Sequence, residues 1–177
     1  KGTRHYKAID CSTLVGMALR GYTYQNGPYG SKANFTAFRK NIKQTNKSVT
    51  WAFAVPRTAA EIGEYCKKKG WVVPLKDIGN AKNNYEGIKK GDLIFWAKKD
   101  DNGKYKEPER FMKISHVAIV YGKSSAFGNR LCVIESTTST DKVHTLSDGT
   151  KINCGVRIKD LVNNKPGEIV MVARIQV

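Results

Sequence analysis

Cys11 has the clearest chemical potential in the sequence, because it stands where a helix is predicted to begin. Leu14 and Val15 open an apolar stripe at helical spacing, Asp10 precedes it as the predicted N-cap, and Gly21 follows as a stop. Backbone N–H groups at a helix N-terminus stabilise a thiolate, so we expect a pKa for Cys11 below the roughly 8.5 of a free thiol. A thiolate is the nucleophile of cysteine hydrolases.

A cysteine nucleophile needs a base, and the chain has three histidines. His5 lies in the N-terminal segment and His144 in a polar stretch, whereas His116 opens an apolar strand pattern. A single histidine at a strand edge can also be purely structural. Glu135, an acid that follows an apolar run near a strand end, favours a catalytic role for His116.

The predicted contact between His116 and Glu135 depends on one assumed hairpin. If residues 117–121 pair with 130–134 around a loop at 122–129, His116 lies directly opposite Glu135. Glu135 would then hold one imidazole nitrogen and direct the other toward the thiol, as in a nucleophile–base–orienter triad.

The other cysteines have simpler explanations. Cys66 lies late in a predicted helix, where the dipole disfavours a thiolate, while Cys132 and Cys154 fall in strand patterns. The four cysteines match no metal-binding spacing, so we predict neither a metal nor another cofactor.

These residues need a scaffold of helices followed by strands, which is typical of an α+β fold. Helices are predicted over Cys11–Arg20, around Phe35–Ile42 and over Thr58–Lys69, where Thr58 and Glu61 form a capping box. The predicted strands form a mostly antiparallel sheet and are Trp71–Val73, Leu93–Ala97, His116–Tyr121, Arg130–Ser136, Val143–Leu146, Ile152–Ile158 and Ile169–Ile175.

Four motifs, in order, resemble those of the NlpC/P60 cysteine peptidases, a papain-like superfamily of peptidoglycan hydrolases. They are Asp-Cys-Ser at 10–12, Gly-Asp-Leu-Ile-Phe-Trp at 91–96, Ser-His-Val-Ala-Ile-Val-Tyr-Gly at 115–122 and Val-Ile-Glu-Ser at 133–136. The resemblance implies the papain-like NlpC/P60 fold, with N-terminal helices packed on a mostly antiparallel sheet of five to six strands. It also implies a single catalytic domain over residues 1–177. Because position 1 is Lys and not Met, we allow for excision from a longer chain.

The resemblance implies a hydrolase that cleaves a stem-peptide amide of peptidoglycan. The bond is either γ-D-glutamyl–diamino acid or muramoyl–L-alanine, and both stay open. Cys11, His116 and Glu135 are the catalytic residues that the resemblance implies. We expect oxyanion or substrate binding from Tyr6, Ser12, Ser115 and Trp96, and the tyrosines at 22, 24 and 29 are further groove candidates.

The formal net charge of +16 predicts attraction to polyanions. Peptidoglycan stem peptides and anionic wall polymers are the expected partners of a secreted or virion-associated enzyme, acting as a monomer or within a larger assembly. Lysines are spread along the chain and no nucleic-acid-binding signature is present, so nucleic acid is not an expected partner. No apolar run reaches the length of a membrane span.

A wall-binding module without catalysis, on a phage tail or a secreted protein, is the alternative. Thr13 stands where the family commonly has glycine, and the Gly-rich segment around the family's upstream tyrosine is absent near Tyr6.

Overall fold

The computed structural model describes residues 10–19, 58–137, 144–145, 151–152, 155–162 and 167–175. These residues form two α-helices and eight strands. The helices are α1, Cys11–Leu19, and α2, Ala59–Lys68. The strands are β1 Val72–Val73, β2 Leu93–Ala97, β3 His116–Ser124, β4 Arg130–Thr137, β5 His144–Thr145, β6 Lys151–Ile152, β7 Gly155–Asp160 and β8 Glu168–Ala173.

Six of these strands form one antiparallel sheet in the order β1-β8-β2-β3-β4-β7. The sheet and helices confirm the α+β class. The predicted single strand Ile152–Ile158 is wrong: β6 pairs with β5 in a separate two-stranded sheet, whereas β7 pairs with β4. The predicted helix around 35–42 lies outside the described residues.

Helix α2 begins where its capping box predicts. The Thr58 side chain accepts a hydrogen bond from the Glu61 N–H at 3.2 Å, and the Glu61 carboxylate accepts one from the Thr58 N–H at 2.9 Å. Each bond satisfies a backbone donor that the first helical turn leaves without an intrahelical partner.

Both faces of the main sheet are covered. Helices α1 and α2 pack on one face, where Val15 and Ile62 join Phe95, Val117 and Met171 in a buried cluster. The opposite face carries a second cluster that includes Ile94, Trp96, Ala118, Val133, Tyr85 and Leu161. Because side chains alternate along a strand, neighbouring residues of β2 and β3 enter different clusters. No helix among the described residues is both long and apolar enough to cross a membrane.

Candidate active site

Cys11 is the first residue of α1 and packs against the helix-side core. The Asp10 carbonyl accepts the first helical hydrogen bond, from the Leu14 N–H at 3.0 Å, so the helix begins where the sequence predicts. The Cys11 side chain is partly buried, and α1 lies over the beginning of β3. The thiol therefore lies at the edge of the core, in front of the sheet.

The predicted direction of the Cys11 pKa shift is wrong. Burial raises the pKa of the Cys11 thiol above its ordinary value, and the charge of Asp10 adds to this. Hydrogen bonding from the backbone N–H groups of Val117 and Ser12, and the positive charge of Lys98, lower the pKa without reversing the shift. Loss of water around the sulfur outweighs the N-terminal donors, so the resting group at neutral pH is a thiol.

His116 is the first residue of β3 and is almost completely buried. It pairs with Trp96 of β2, and its ring lies 5.5 Å from the Trp96 ring, centre to centre. Burial lowers the pKa of His116 below its ordinary value, although the hydrogen bond and charge of Glu135 act in the opposite direction. The resting imidazole is therefore neutral at pH 7 and can accept a proton.

Glu135 of β4 forms polar contacts with three other side chains. One carboxylate oxygen, Oε2, lies 2.7 Å from His116 Nε2. The other, Oε1, accepts hydrogen bonds from Arg157 at 2.9 and 3.0 Å and lies 3.1 Å from the Lys159 ammonium. Burial alone would raise the pKa of Glu135, but the hydrogen bonds and charges of His116 and Lys159 hold it at about 2. Glu135 is thus a carboxylate at every pH at which the protein would work.

The contact between His116 and Glu135 is present, but the hairpin register that predicted it is wrong. Ile119 pairs with Ile134 and Val120 with Val133, which is two residues away from the assumed register, and an irregularity follows before Gly122. A shift of two residues keeps every side chain on its predicted face of the sheet. Glu135 therefore reaches His116 diagonally rather than from the directly opposite position.

Lys98 is a residue of the site that the sequence did not reveal. It directly follows β2 and is half-buried, and its backbone N–H donates to Ser115 Oγ at 2.9 Å. Burial lowers the pKa of Lys98, while the nearby Glu135 carboxylate and Cys11 raise it. Lys98 therefore places a positive charge within electrostatic reach of both the thiol and the His116–Glu135 pair.

The structure gives the contacts of three of the predicted oxyanion- and substrate-binding residues. Trp96 is fully buried under the His116 ring, so it cannot line a groove from this position. Ser12 is buried and donates to the Asp10 carboxylate at 2.8 Å. Ser115 bridges β2 and β3, since its Oγ also lies 3.4 Å from the Trp96 carbonyl oxygen. Tyr6 lies outside the described residues, as do the tyrosines at 22, 24 and 29.

Thiol and imidazole approach the start of β3 from different sides. Cys11 meets the backbone of Val117, whose side chain belongs to the helix-side core, whereas the His116 ring packs on Trp96 in the opposite cluster. No hydrogen bond joins the two groups in the described part of the chain. Because Glu135 holds Nε2, Nδ1 is the ring nitrogen that could take the thiol proton. Catalytic hydrogen bonds often tighten only when substrate binds.

The described residues include no group of three or more His, Cys, Asp or Glu side chains that could hold a metal ion. The thiol, the neutral imidazole and the fixed carboxylate are the groups that nucleophilic attack by sulfur needs. Comparisons of the chain with family models, curated proteins and solved structures found no match.

Proposed function

We propose that this chain is a cysteine hydrolase that cleaves an amide bond of the peptidoglycan stem peptide. The bond would be either the γ-D-glutamyl–diamino acid bond or the muramoyl–L-alanine bond. The observation that carries the proposal is the buried His116–Glu135 pair, joined at 2.7 Å and located one residue from the backbone that contacts Cys11. The resemblance of the surrounding motifs to those of NlpC/P60 peptidases supplies the substrate class.

The protonation states support general-base activation of the thiol. His116 Nδ1 would accept the proton of Cys11 Sγ as the sulfur attacks the amide carbonyl carbon. The Cys11 backbone N–H would stabilise the oxyanion, and Glu135 would stabilise the imidazolium without itself becoming protonated. The imidazolium would then protonate the leaving amine and leave a thioester on Cys11. Water, deprotonated by His116, would hydrolyse this thioester and restore the thiol.

The charge of the protein supports a wall substrate. Phosphate- and carboxylate-rich wall polymers attract a protein of net charge +16, and Lys98 adds a positive charge beside the reacting sulfur. We therefore place the enzyme outside the cytoplasm of the cell that makes it, secreted or carried on a virion, as a monomer or part of a larger assembly.

A wall-binding module without catalysis is the second candidate. Two observations favour it: the absence of a direct hydrogen bond between Cys11 and His116, and the raised pKa of the thiol. Such a protein would bind intact wall and release no fragments.

Cys11→Ala distinguishes these two functions. In a cysteine hydrolase, the variant loses at least about 10³-fold in the release of wall fragments, because the nucleophile is gone. Cys132→Ala is the matched control, since it removes a buried thiol whose hydrogen bond is to the nearby Arg130 carbonyl. Mass spectrometry of the digest identifies the cleaved bond from its new termini. Fragment release by Cys11→Ala at the wild-type rate would exclude the mechanism, and no release by either protein would favour the binding module.

A further inference from the structure

A basic strip lies on the surface formed by α2, the Phe111–Lys113 turn and the hairpin between Lys99 and Tyr105. It consists of three lysines and two aromatic rings, namely Lys67, Lys99, Lys113, Phe111 and Tyr105. Helix α2 packs against the Phe111–Lys113 turn, which makes the strip continuous.

Each lysine of the strip is held against an aromatic ring. The Lys67 ammonium lies 5.6 Å from the centre of the Phe111 ring. The Lys99 and Lys113 ammonium groups lie 4.8 and 4.2 Å from the centre of the Tyr105 ring. Such contacts lie within the range of cation–π attraction, which restrains a lysine without neutralising its charge.

The ammonium groups of the strip are accessible to a ligand from the solvent. The three lysines are exposed and form no ion pair with any residue that the structure describes. Two nearby carboxylates have other partners, since Glu168 accepts a hydrogen bond from the Tyr105 hydroxyl at 3.1 Å, and Glu107 pairs with Arg110 at 3.1 Å. The three ammonium groups are therefore exposed, near aromatic rings and outside any ion pair of the described chain.

We propose that the basic strip binds a phosphodiester polymer whose repeat units carry no aromatic base, such as a polyol-phosphate polymer of the bacterial wall. Lysine ammonium groups contact phosphates as point charges and need no defined orientation of the phosphate. The assignment of this polymer to the bacterial wall rests on the proposed function. The strip itself contains none of the candidate catalytic residues.

The aromatic rings argue against nucleic acid as the partner. Proteins that bind single strands stack the bases on open aromatic faces. In the strip, Tyr105 already carries two ammonium groups and Phe111 carries one. A polymer that has phosphates but no bases needs only the lysine ammonium groups for binding, and it does not need an open aromatic face.

The test compares two triple variants of equal charge. Lys67→Gln, Lys99→Gln and Lys113→Gln are combined in one protein. Lys82→Gln, Lys90→Gln and Lys123→Gln are combined in the control, which changes three exposed lysines that form no ion pair in the described chain. Binding to purified poly(glycerol phosphate) is measured across a salt series. We expect at least tenfold weaker binding of the strip variant, and a salt slope reduced by about 2 to 3, with less than threefold weakening of the control.

Three outcomes would overturn the proposal. Equal weakening of both variants would show that net charge, not the strip, binds the polymer. If the wild-type protein did not bind the polymer, base-free phosphodiester polymers would be excluded as the ligand. Tighter, strip-dependent binding of single-stranded DNA would identify nucleic acid as the partner. Hydrolysis of a soluble stem peptide, measured in parallel, separates these results from the proposed function, because loss of the strip should leave that hydrolysis unchanged.

Discussion

Two buried carboxylates, at opposite ends of the central strands, show how a structural ion pair differs from the candidate active site. Asp92 directly precedes β2 and is 1% exposed. Arg174 donates to both of its oxygens, at 2.9 and 2.8 Å, and the Lys89 N–H donates at 2.8 Å. Asp92 thus has one cation in a bidentate pair, an arrangement in which one positive charge matches one negative charge.

Glu135 is equally buried, at 1% exposure, but its partners are different. Arg157 and Lys159 share one oxygen, His116 takes the other, and Lys98 adds a further positive charge nearby. Glu135 therefore lies among three positively charged side chains, and its remaining partner is a histidine, the side chain whose ordinary pKa is nearest to neutral pH. The two carboxylates thus differ in having a single guanidinium partner at Asp92 and several cations with a histidine at Glu135, and the proposed function assigns a chemical role only to the second set.

His116→Gln should have the largest effect, and on activity rather than stability. The glutamine amide can still donate a hydrogen bond to Glu135, but it cannot accept the thiol proton. We expect kcat/KM for stem-peptide hydrolysis to fall about 10³-fold, with the urea midpoint little changed. Retention of more than a tenth of the wild-type kcat/KM would contradict the role of His116 as base.

Arg174→Met should produce the reverse pattern at the other end of the sheet. It leaves Asp92 buried and charged without its cation, and we expect a loss of about 3 to 5 kcal/mol in the free energy of unfolding. Activity per folded molecule should be unchanged. Urea unfolding at pH 7 measures the loss, and Asp92→Asn added to Arg174→Met should restore part of it. A decrease below 1 kcal/mol in the free energy of unfolding would show that the Arg174–Asp92 pair contributes little to fold stability.

Acid should remove the stability that Glu135 contributes. Its folded pKa of about 2 lies below the ordinary 4.5, so its contribution is present above pH 4.5 and is lost as the pH falls toward 2. The size is about 3 kcal/mol at neutral pH. The pKa of His116 is lower in the folded protein than the ordinary 6.5. As the pH falls below about 6.5, His116 is therefore protonated in the unfolded chain before it is protonated in the folded protein, and the free energy of unfolding begins to decrease.

Urea unfolding of the wild type and of Glu135→Gln, from pH 7 to pH 3, tests this assignment. The variant should be less stable at pH 7, because Lys159 is left buried without its carboxylate, and its stability should depend less on pH below 4.5. Parallel pH curves for the two proteins would show that Glu135 is not the group that titrates.

The sequence predicted the features that depend on local patterns. The capping box predicted the start of α2, and β-branched and aromatic residues predicted β2 with its observed bounds. The His116–Glu135 contact was predicted from a wrong register, and it is present because an error of two residues preserves the face.

What the sequence could not predict depends on contacts between distant segments. Lys159 and Arg157 reach Glu135 only through the pairing of β4 with β7. The sign of the Cys11 pKa shift depends on how deeply α1 packs on the sheet, which no local pattern records. Lys98 follows a strand like many surface lysines, and only the fold brings it near Cys11 and Glu135.

Lys98→Gln should have the smallest effect and report most directly on the positive charge near Glu135. The positive charge of Lys98 lowers the pKa of both His116 and Cys11. Without it, the imidazole holds its proton to higher pH, so the acidic limb of the kcat/KM profile should move upward. At pH 7 we expect a decrease of about three- to tenfold in kcat/KM, because the developing thiolate loses a nearby cation.

Lys99→Gln is the matched control for this change, since Lys99 is the next residue, is exposed and lies over the Tyr105 ring. It removes the same charge from the protein but not from the site. A pH profile that moves equally in both variants would assign the effect to net charge. An unmoved profile in Lys98→Gln would mean that Lys98 does not act on the proton-transferring pair. The distinction between Glu135 and Asp92 would then rest on His116 alone, because the positive charge of Lys98 would have no chemical consequence.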